Sequence, residues 1–279
     1  MKTFPPARIR NVALVGHGGA GKTTLAEALL FCAGAIPRQG RVEDGTTTTD
    51  FDAEEVKRKI SVSLALAPFE YEGHKINLID CPGYADFVGE VDAALSAADL
   101  VVFVVSAVEG VEVQTEAVWK MAAARKLPRM VFVNKLDRER ASFERTLEQL
   151  RQVFGAGIAP LELPIGEETS FRGVADLLTD TAITYDTGKA VQGEIPDEME
   201  SLEHQVHDNL VEGIVVADDD LMERYLEGDV PGAKELEETL AHGVASATVF
   251  PVVCGSASKL VAIDRLAAFI CEIGPTPAD

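Results

Sequence analysis

Aromatic side chains are scarce in this 279-residue sequence: they make up 6% of it and include a single tryptophan. Hydrophobic residues still reach 47%, so aliphatic side chains must build the interior, enough for one large core or two modest ones. No uncharged apolar run reaches the roughly 18 residues that a membrane helix needs. The opening Met1-Lys2-Thr3-Phe4-Pro5-Pro6 lacks the apolar segment and small-residue cleavage site of a signal peptide. Cysteine is equally sparse. Cys32, Cys81, Cys254 and Cys271 show no C-x-x-C spacing and read as buried or incidental thiols. These absences together imply a cytoplasmic protein with no membrane partner.

Positive charge is also short, with 25 Lys and Arg against 46 Asp and Glu and a net charge of −21. Nearly all of the excess lies in residues 160–250, which hold 4 basic and 22 acidic side chains. Such a surface repels phosphate backbones and argues against sequence-specific nucleic-acid binding. It suits a basic protein partner, or else is a solvated, solubilising face.

The apolar pattern alternates between short β-branched runs and helical periodicity. Ile9 to Val15, Leu100 to Val105, Met130 to Val133 and Val249 to Val253 read as parallel strands covered on both faces. Ser61 to Ala67 and Lys75 to Ile79 flank Glu72-Gly73-His74 as a hairpin. Helices are expected at Lys22 to Ala33, Ala85 to Ala98, Val111 to Lys126, Ser142 to Phe154 and Leu260 to Ile273. The fold class is therefore α/β, a doubly wound and mostly parallel sheet. Between Phe154 and Val249 the alternation fails, leaving a hairpin near Thr187-Gly188-Lys189 and a helix from about Asp197 to Val215. We read 160–248 as an inserted α+β subdomain, with 1–159 and 249–279 forming the main domain. The closing Gly274 to Asp279 reads as a linker.

Four motifs stand at strand ends. Gly16-His17-Gly18-Gly19-Ala20-Gly21-Lys22-Thr23 fits the phosphate-loop pattern G-x-x-x-x-G-K-[ST]. Its backbone N–H groups and the following helix N-terminus suit an anion; Lys22 should reach the β- and γ-phosphates, the Thr23 hydroxyl should ligate Mg²⁺, and Thr24 continues the turn. Asp80-Cys81-Pro82-Gly83 follows Lys22 by 58 residues and ends a second strand. Asp80 suits Mg²⁺, often through water, and the Gly83 N–H suits the γ-phosphate. Asn134-Lys135-Leu136-Asp137 offers a carboxylate to the paired guanine N1–H and amine donors that adenine lacks, with the Lys135 stem over the base. Gly255-Ser256-Ala257 completes the pocket, with the Ala257 N–H expected to face guanine O6. This is a P-loop NTPase G domain that binds GTP or GDP with Mg²⁺; Asn134 to Asp137 disfavour a kinase-like phosphotransferase.

From these motifs the chain resembles the G domain of elongation factor G, particularly its divergent paralogues, along nearly its whole length. Tyr84-Ala85-Asp86-Phe87, Ser106 to Val111, Pro164-Ile165-Gly166 and Cys254 to Ala257 carry the likeness beyond the motifs. The 118 residues between Asp137 and Ser256 resemble that family's G′ insert. The resemblance implies the ribosome as partner, with a basic ribosomal stalk protein against the acidic insert. It also implies that the chain stops where the family's second domain would begin.

Departures from the family pattern are informative. Gly19 stands where the family has Asp. Arg58-Lys59-Ile60-Ser61 stands where it has Arg-Gly-Ile-Thr, so Ser61 is the implied switch I ligand of Mg²⁺; the run Thr46 to Thr49 is the other candidate, but a mobile polar loop accounts for it. Residues from Arg38 to Lys59 have little to bury, so only Mg²⁺ and the γ-phosphate are expected to fix them. Tyr84 replaces the histidine that orients the attacking water. A neutral phenol can hold a water but cannot become a cation, so Lys22, Gly83 and Tyr84 imply a slow GTPase or a GTP-sensing module that barely hydrolyses. His17 is expected to fill a surface position in the loop, Trp119 to lie in the core, and His204 and His207 to be too few for zinc.

Overall fold

The computed structural model describes residues 2–186, 189–215, 219–227, 229 and 231–278. Among them, the main sheet contains β1 (Ile9–Val15), β2 (Ala65–Tyr71), β3 (His74–Asp80), β4 (Leu100–Ser106), β5 (Arg129–Asn134), β6 (Ile158–Pro160) and, much later in the chain, β11 (Phe250–Cys254). Their order is β2-β3-β1-β4-β5-β11-β6, and every neighbouring pair is parallel except β2 with β3. Every residue of β4 and β5 is buried, which explains why their apolar runs do not alternate with polar residues.

The connections are α1 (Lys22–Cys32), α2 (Ala53–Arg58), α3 (Val88–Ala97), α4 (Val113–Ala124) and α5 (Phe143–Phe154), with α9 (Ile263–Glu272) last. Ser142 caps α5 by accepting the Arg145 N–H. The helix expected from Ala85 begins as a 3₁₀ turn, Ala85–Phe87, before α3. Trp119 lies in the core as expected. Its ring stacks on Phe154 at 4.0 Å, tilts against Phe103 at 4.7 Å, and has the Arg129 guanidinium 4.8 Å from its centre.

The hairpin differs from the expectation at both ends. Glu72 and Gly73 alone make the turn, both with positive φ, and His74 already pairs with Tyr71; this is the two-residue geometry that matches strand twist. Ser61 to Leu64 lie outside β2, because carboxylates take N–H groups along this stretch: Glu55 accepts from Val62 and Ser63, and Glu90 from Leu64.

A second, antiparallel sheet runs β10-β9-β8-β7, from β7 (Glu162–Ile165), β8 (Gly173–Asp176), β9 (Thr181–Asp186) and β10 (Lys189–Gly193). The expected turn at Thr187-Gly188 lies outside the described residues. Then come α6 (Glu200–Val215), α7 (Asp219–Leu226) and α8 (Ala233–Ala245). Leu161 is the single residue between the two sheets: its N–H donates to Val252 of the main sheet, and its carbonyl accepts from Leu177 after β8. Buried side chains continue without a break from one sheet to the other.

Candidate nucleotide site

The phosphate loop leaves β1 and enters α1 through Gly21, which is left-handed at φ 97°. A side chain there would also strike Asn134, since its Cβ would come within 2.5 Å of Nδ2; glycine satisfies both demands. Lys22 is buried and donates to the carbonyls of Gly16 and His17 at 3.0 and 2.9 Å. Burial lowers its ammonium to about 8, against the opposing pull of Asp80.

Parallel pairing of β1 and β3 sets Leu14 beside Asp80, so the phosphate loop and the Asp80 turn leave the sheet at one level. Gly83 then abuts the loop. A Cβ on it would fall 2.7 Å from both the Gly18 nitrogen and the His17 oxygen. The Tyr84 ring lies over Gly18 and remains half exposed.

Asp80 is buried, and burial raises its carboxyl to about 6 despite the hydroxyls of Thr49 and Thr23 and the charge of Lys22. Thr49 donates to Oδ2 at 2.8 Å, while the buried Oδ1 has no partner. The Thr23 and Ser61 hydroxyls are 3.1 Å apart. Asp50 is buried nearby, where desolvation raises its carboxyl and Ser61 opposes the rise. Hydroxyls and carboxylates around an unsatisfied buried oxygen are a donor set that suits a hard dication.

On the other side, Asn134 ties three loops together. Its Nδ2 donates to the Ala20 carbonyl at 3.0 Å and its Oδ1 accepts the Ala257 N–H at 3.1 Å. The Ala257 N–H, expected to face guanine O6, thus already has a partner. Ser256 donates to Asp137 at 2.6 Å, and Lys135 reaches Glu109 at 3.4 Å. A cleft of about 1070 Å³ opens here, bordered by Gly19, Gly21, Thr24, Asn134, Lys135 and Asp137. A chamber of about 210 Å³ adjoins it, bordered by Lys22, Thr23, Ser61, Gly83 and Tyr84.

One expectation is corrected. His17 is buried rather than on the surface; its Nδ1 is 3.5 Å from Thr115, and burial, with the charge of Lys22 adding to it, lowers the ring to about 4. Its backbone carbonyl, and not its ring, meets Lys22. Residues 38 to 62 also meet groups of the protein itself. The buried Glu27 accepts N–H groups from Gly40 at 2.8 Å and from Thr48, and Gln39 donates to the Ala257 and Thr24 carbonyls at 3.0 and 3.4 Å. Thr49 belongs to the Thr46 to Thr49 run that reads in the sequence as a loose loop. The available signal for Glu27 was a lone acid one turn beyond Thr23 in an otherwise apolar stretch of helix.

Residues 7–276 match the model of the elongation factor Tu GTP binding domain. The chain belongs to that family. Its family relationship makes it a GTP-binding domain of the translation-factor type, and members of the family are GTPases. The crystal structure of a protein from Thermus thermophilus is similar over 98% of this chain, with 41% identity and a TM-score of 0.93. The chain spans 41% of that protein's length. No helix among the described residues of this elongation-factor-type domain is long and apolar enough to cross a membrane.

Proposed function

We propose that this chain is the GTP-hydrolysing switch domain of an elongation factor G-like translation factor, cytoplasmic, with residues 160–248 as its acidic insert. The observation that carries the reading is the close approach of Gly83 to Lys22 and the phosphate loop, which brings the two phosphate-sensing elements to one point. GTP would lie across the two chambers, with the base against Asp137, Lys135, Asn134, Ser256 and Ala257. Its phosphates would meet the N–H groups of Gly18 through Thr24, and Lys22 would exchange its two carbonyls for β- and γ-phosphate oxygens. His17 contributes backbone alone.

Mg²⁺, when bound, would neutralise charge on the β- and γ-phosphate oxygens. Thr23, Ser61 and Asp80 are the residues that fit it, the unpartnered Asp80 Oδ1 above all. In the reaction, water attacks the γ-phosphorus as the bond to the β–γ bridging oxygen breaks, and its proton leaves with phosphate, giving GDP and phosphate. The Gly83 N–H meets the γ-phosphate, and the Tyr84 hydroxyl can orient the water without becoming cationic. That makes hydrolysis slow and dependent on a partner. The ribosome is the partner that the family relationship supports, and a basic stalk protein suits the insert's excess of carboxylates.

A GTP-sensing module that barely hydrolyses is the second reading, and the half-exposed neutral phenol over Gly18 favours it. Single-turnover hydrolysis of GTP, with and without ribosomes, separates the two. The enzyme reading expects ribosomes to accelerate the parent, Lys22→Ala to abolish turnover, and Tyr84→His to raise the rate with GTP affinity within a few-fold. No acceleration in either the parent or Tyr84→His would leave the sensing module.

A further inference from the structure

The loop that carries Ser256 and Ala257 is anchored at both ends by the second sheet. At its start, Glu162 of β7 accepts the Cys254 N–H at 3.1 Å, two residues before Ser256 meets Asp137. At its end lies the first turn of α9, where Arg265 donates to Asp176 of β8 at 2.5 Å and Asp264 accepts the Tyr185 hydroxyl of β9 at 2.5 Å. Three neighbouring strands of the insert thus each send one polar side chain to the two flanks of a single loop.

The chemistry at Glu162 is unlike that of an ordinary core residue. Its side chain is fully buried, Oε1 has no hydrogen-bond partner, and the Arg265 Nε stands 3.9 Å away. Desolvation raises its carboxyl to about 8, with Arg265 opposing. A buried acid with one oxygen unpartnered costs stability that its single bond from the Cys254 N–H offsets only in part. A hydrophobic residue would fill the same space but leave the Cys254 N–H unpaired.

We infer that Glu162 is a positioning residue for guanine recognition, through which the insert sheet sets the placement of the Ser256–Ala257 loop and hence the rate of nucleotide release. The inference rests on the guanine assignment of Asp137 and Ser256. Whatever binds the insert could then alter nucleotide exchange at a distance, and by linkage the nucleotide must act back on the insert.

The test compares GDP with IDP, which lacks the amine that Asp137 reads, on the full chain. The parent should prefer GDP by about 10-fold or more, the value of one hydrogen bond to a charged group. Glu162→Leu, which removes the acceptor, should lose most of that preference and release GDP about 10-fold faster. Glu162→Gln, which keeps an acceptor for Cys254, should retain the preference within about 3-fold; a purely structural role would not divide the variants this way. In the parent, which needs no substitution to fold, GDP should slow amide exchange in residues 173–186. Unchanged discrimination in Glu162→Leu, equal loss in Glu162→Gln, or exchange in 173–186 that ignores GDP would each overturn the coupling. A parent that binds no GDP would overturn the guanine assignment itself.

Discussion

Replacing Glu27 by Gln should loosen residues 40–48 without unfolding the domain. The carboxylate is about 1% exposed and uses one oxygen for the Gly40 N–H and the other for Thr48. An amide keeps one acceptor and turns an NH₂ towards the second N–H, so one charge-assisted bond is lost and one buried donor is orphaned. That costs roughly 1–3 kcal/mol, or about 5- to 150-fold in the local opening equilibrium. The loss is confined because the segment adds little to the apolar core; the strands behind it are held by burial. Hydrogen exchange resolved by residue should therefore show Gly40 and Thr48 accelerating within that range, while amides in β4 and β5 keep their parent rates. Thr49, next in the chain, should leave Asp80, and the preference for a non-hydrolysable GTP analogue over GDP should shrink. Unchanged exchange at both amides would refute the argument, because it would mean that the carboxylate does not hold the segment.

Asp137→Asn should weaken GTP binding by roughly 2–4 kcal/mol and favour xanthosine nucleotides, whose ring carries an oxygen where guanine has its amine; calorimetry with both nucleotides checks this. Gly83→Ala forces a methyl against the backbone of His17 and Gly18, which overpacking costs put at about 1–3 kcal/mol. It should lower Tm by a few degrees and weaken the GTP analogue more than GDP, as thermal melts with each ligand would show. Glu162 is held protonated in the fold, at about 8, above its ordinary carboxyl range. Its contribution is then fullest below that range and lost as pH rises towards about 8. The Tm of the parent relative to Glu162→Gln should accordingly fall between about pH 5 and about pH 9, and a flat difference would contradict it.

The residues that were legible in the sequence are those whose chemistry is local. A glycine-rich turn between a buried strand and a helix needs no distant partner to be recognised, and neither does Asn134-Lys135-Leu136-Asp137 after β5. The parallel sheet was legible for the same reason, since fully buried strands cannot alternate. What stayed hidden was a set of glutamates. Glu27, Glu55, Glu90 and Glu162 bond backbone N–H groups 7 to 92 residues away, and no side-chain pattern marks a backbone donor. A glutamate is ordinarily solvated, and a buried one is set apart mainly by partners that the sequence does not show. Bonds of this kind, from Glu55 and Glu90, are why β2 begins at Ala65 instead of Ser61.

Trp119 makes a spectroscopic reporter out of an accident of composition. It is the one tryptophan in the sequence, and it is sandwiched among Phe103, Phe154, Phe250 and Arg129, away from both chambers that border the phosphate loop. Its emission should be blue-shifted in the folded chain and move to longer wavelength when α4 and α5 separate from β4 and β11. Guanine nucleotides should leave it almost untouched. Fluorescence can therefore follow the melting of any substituted chain in the presence of saturating ligand, without the ligand colouring the signal.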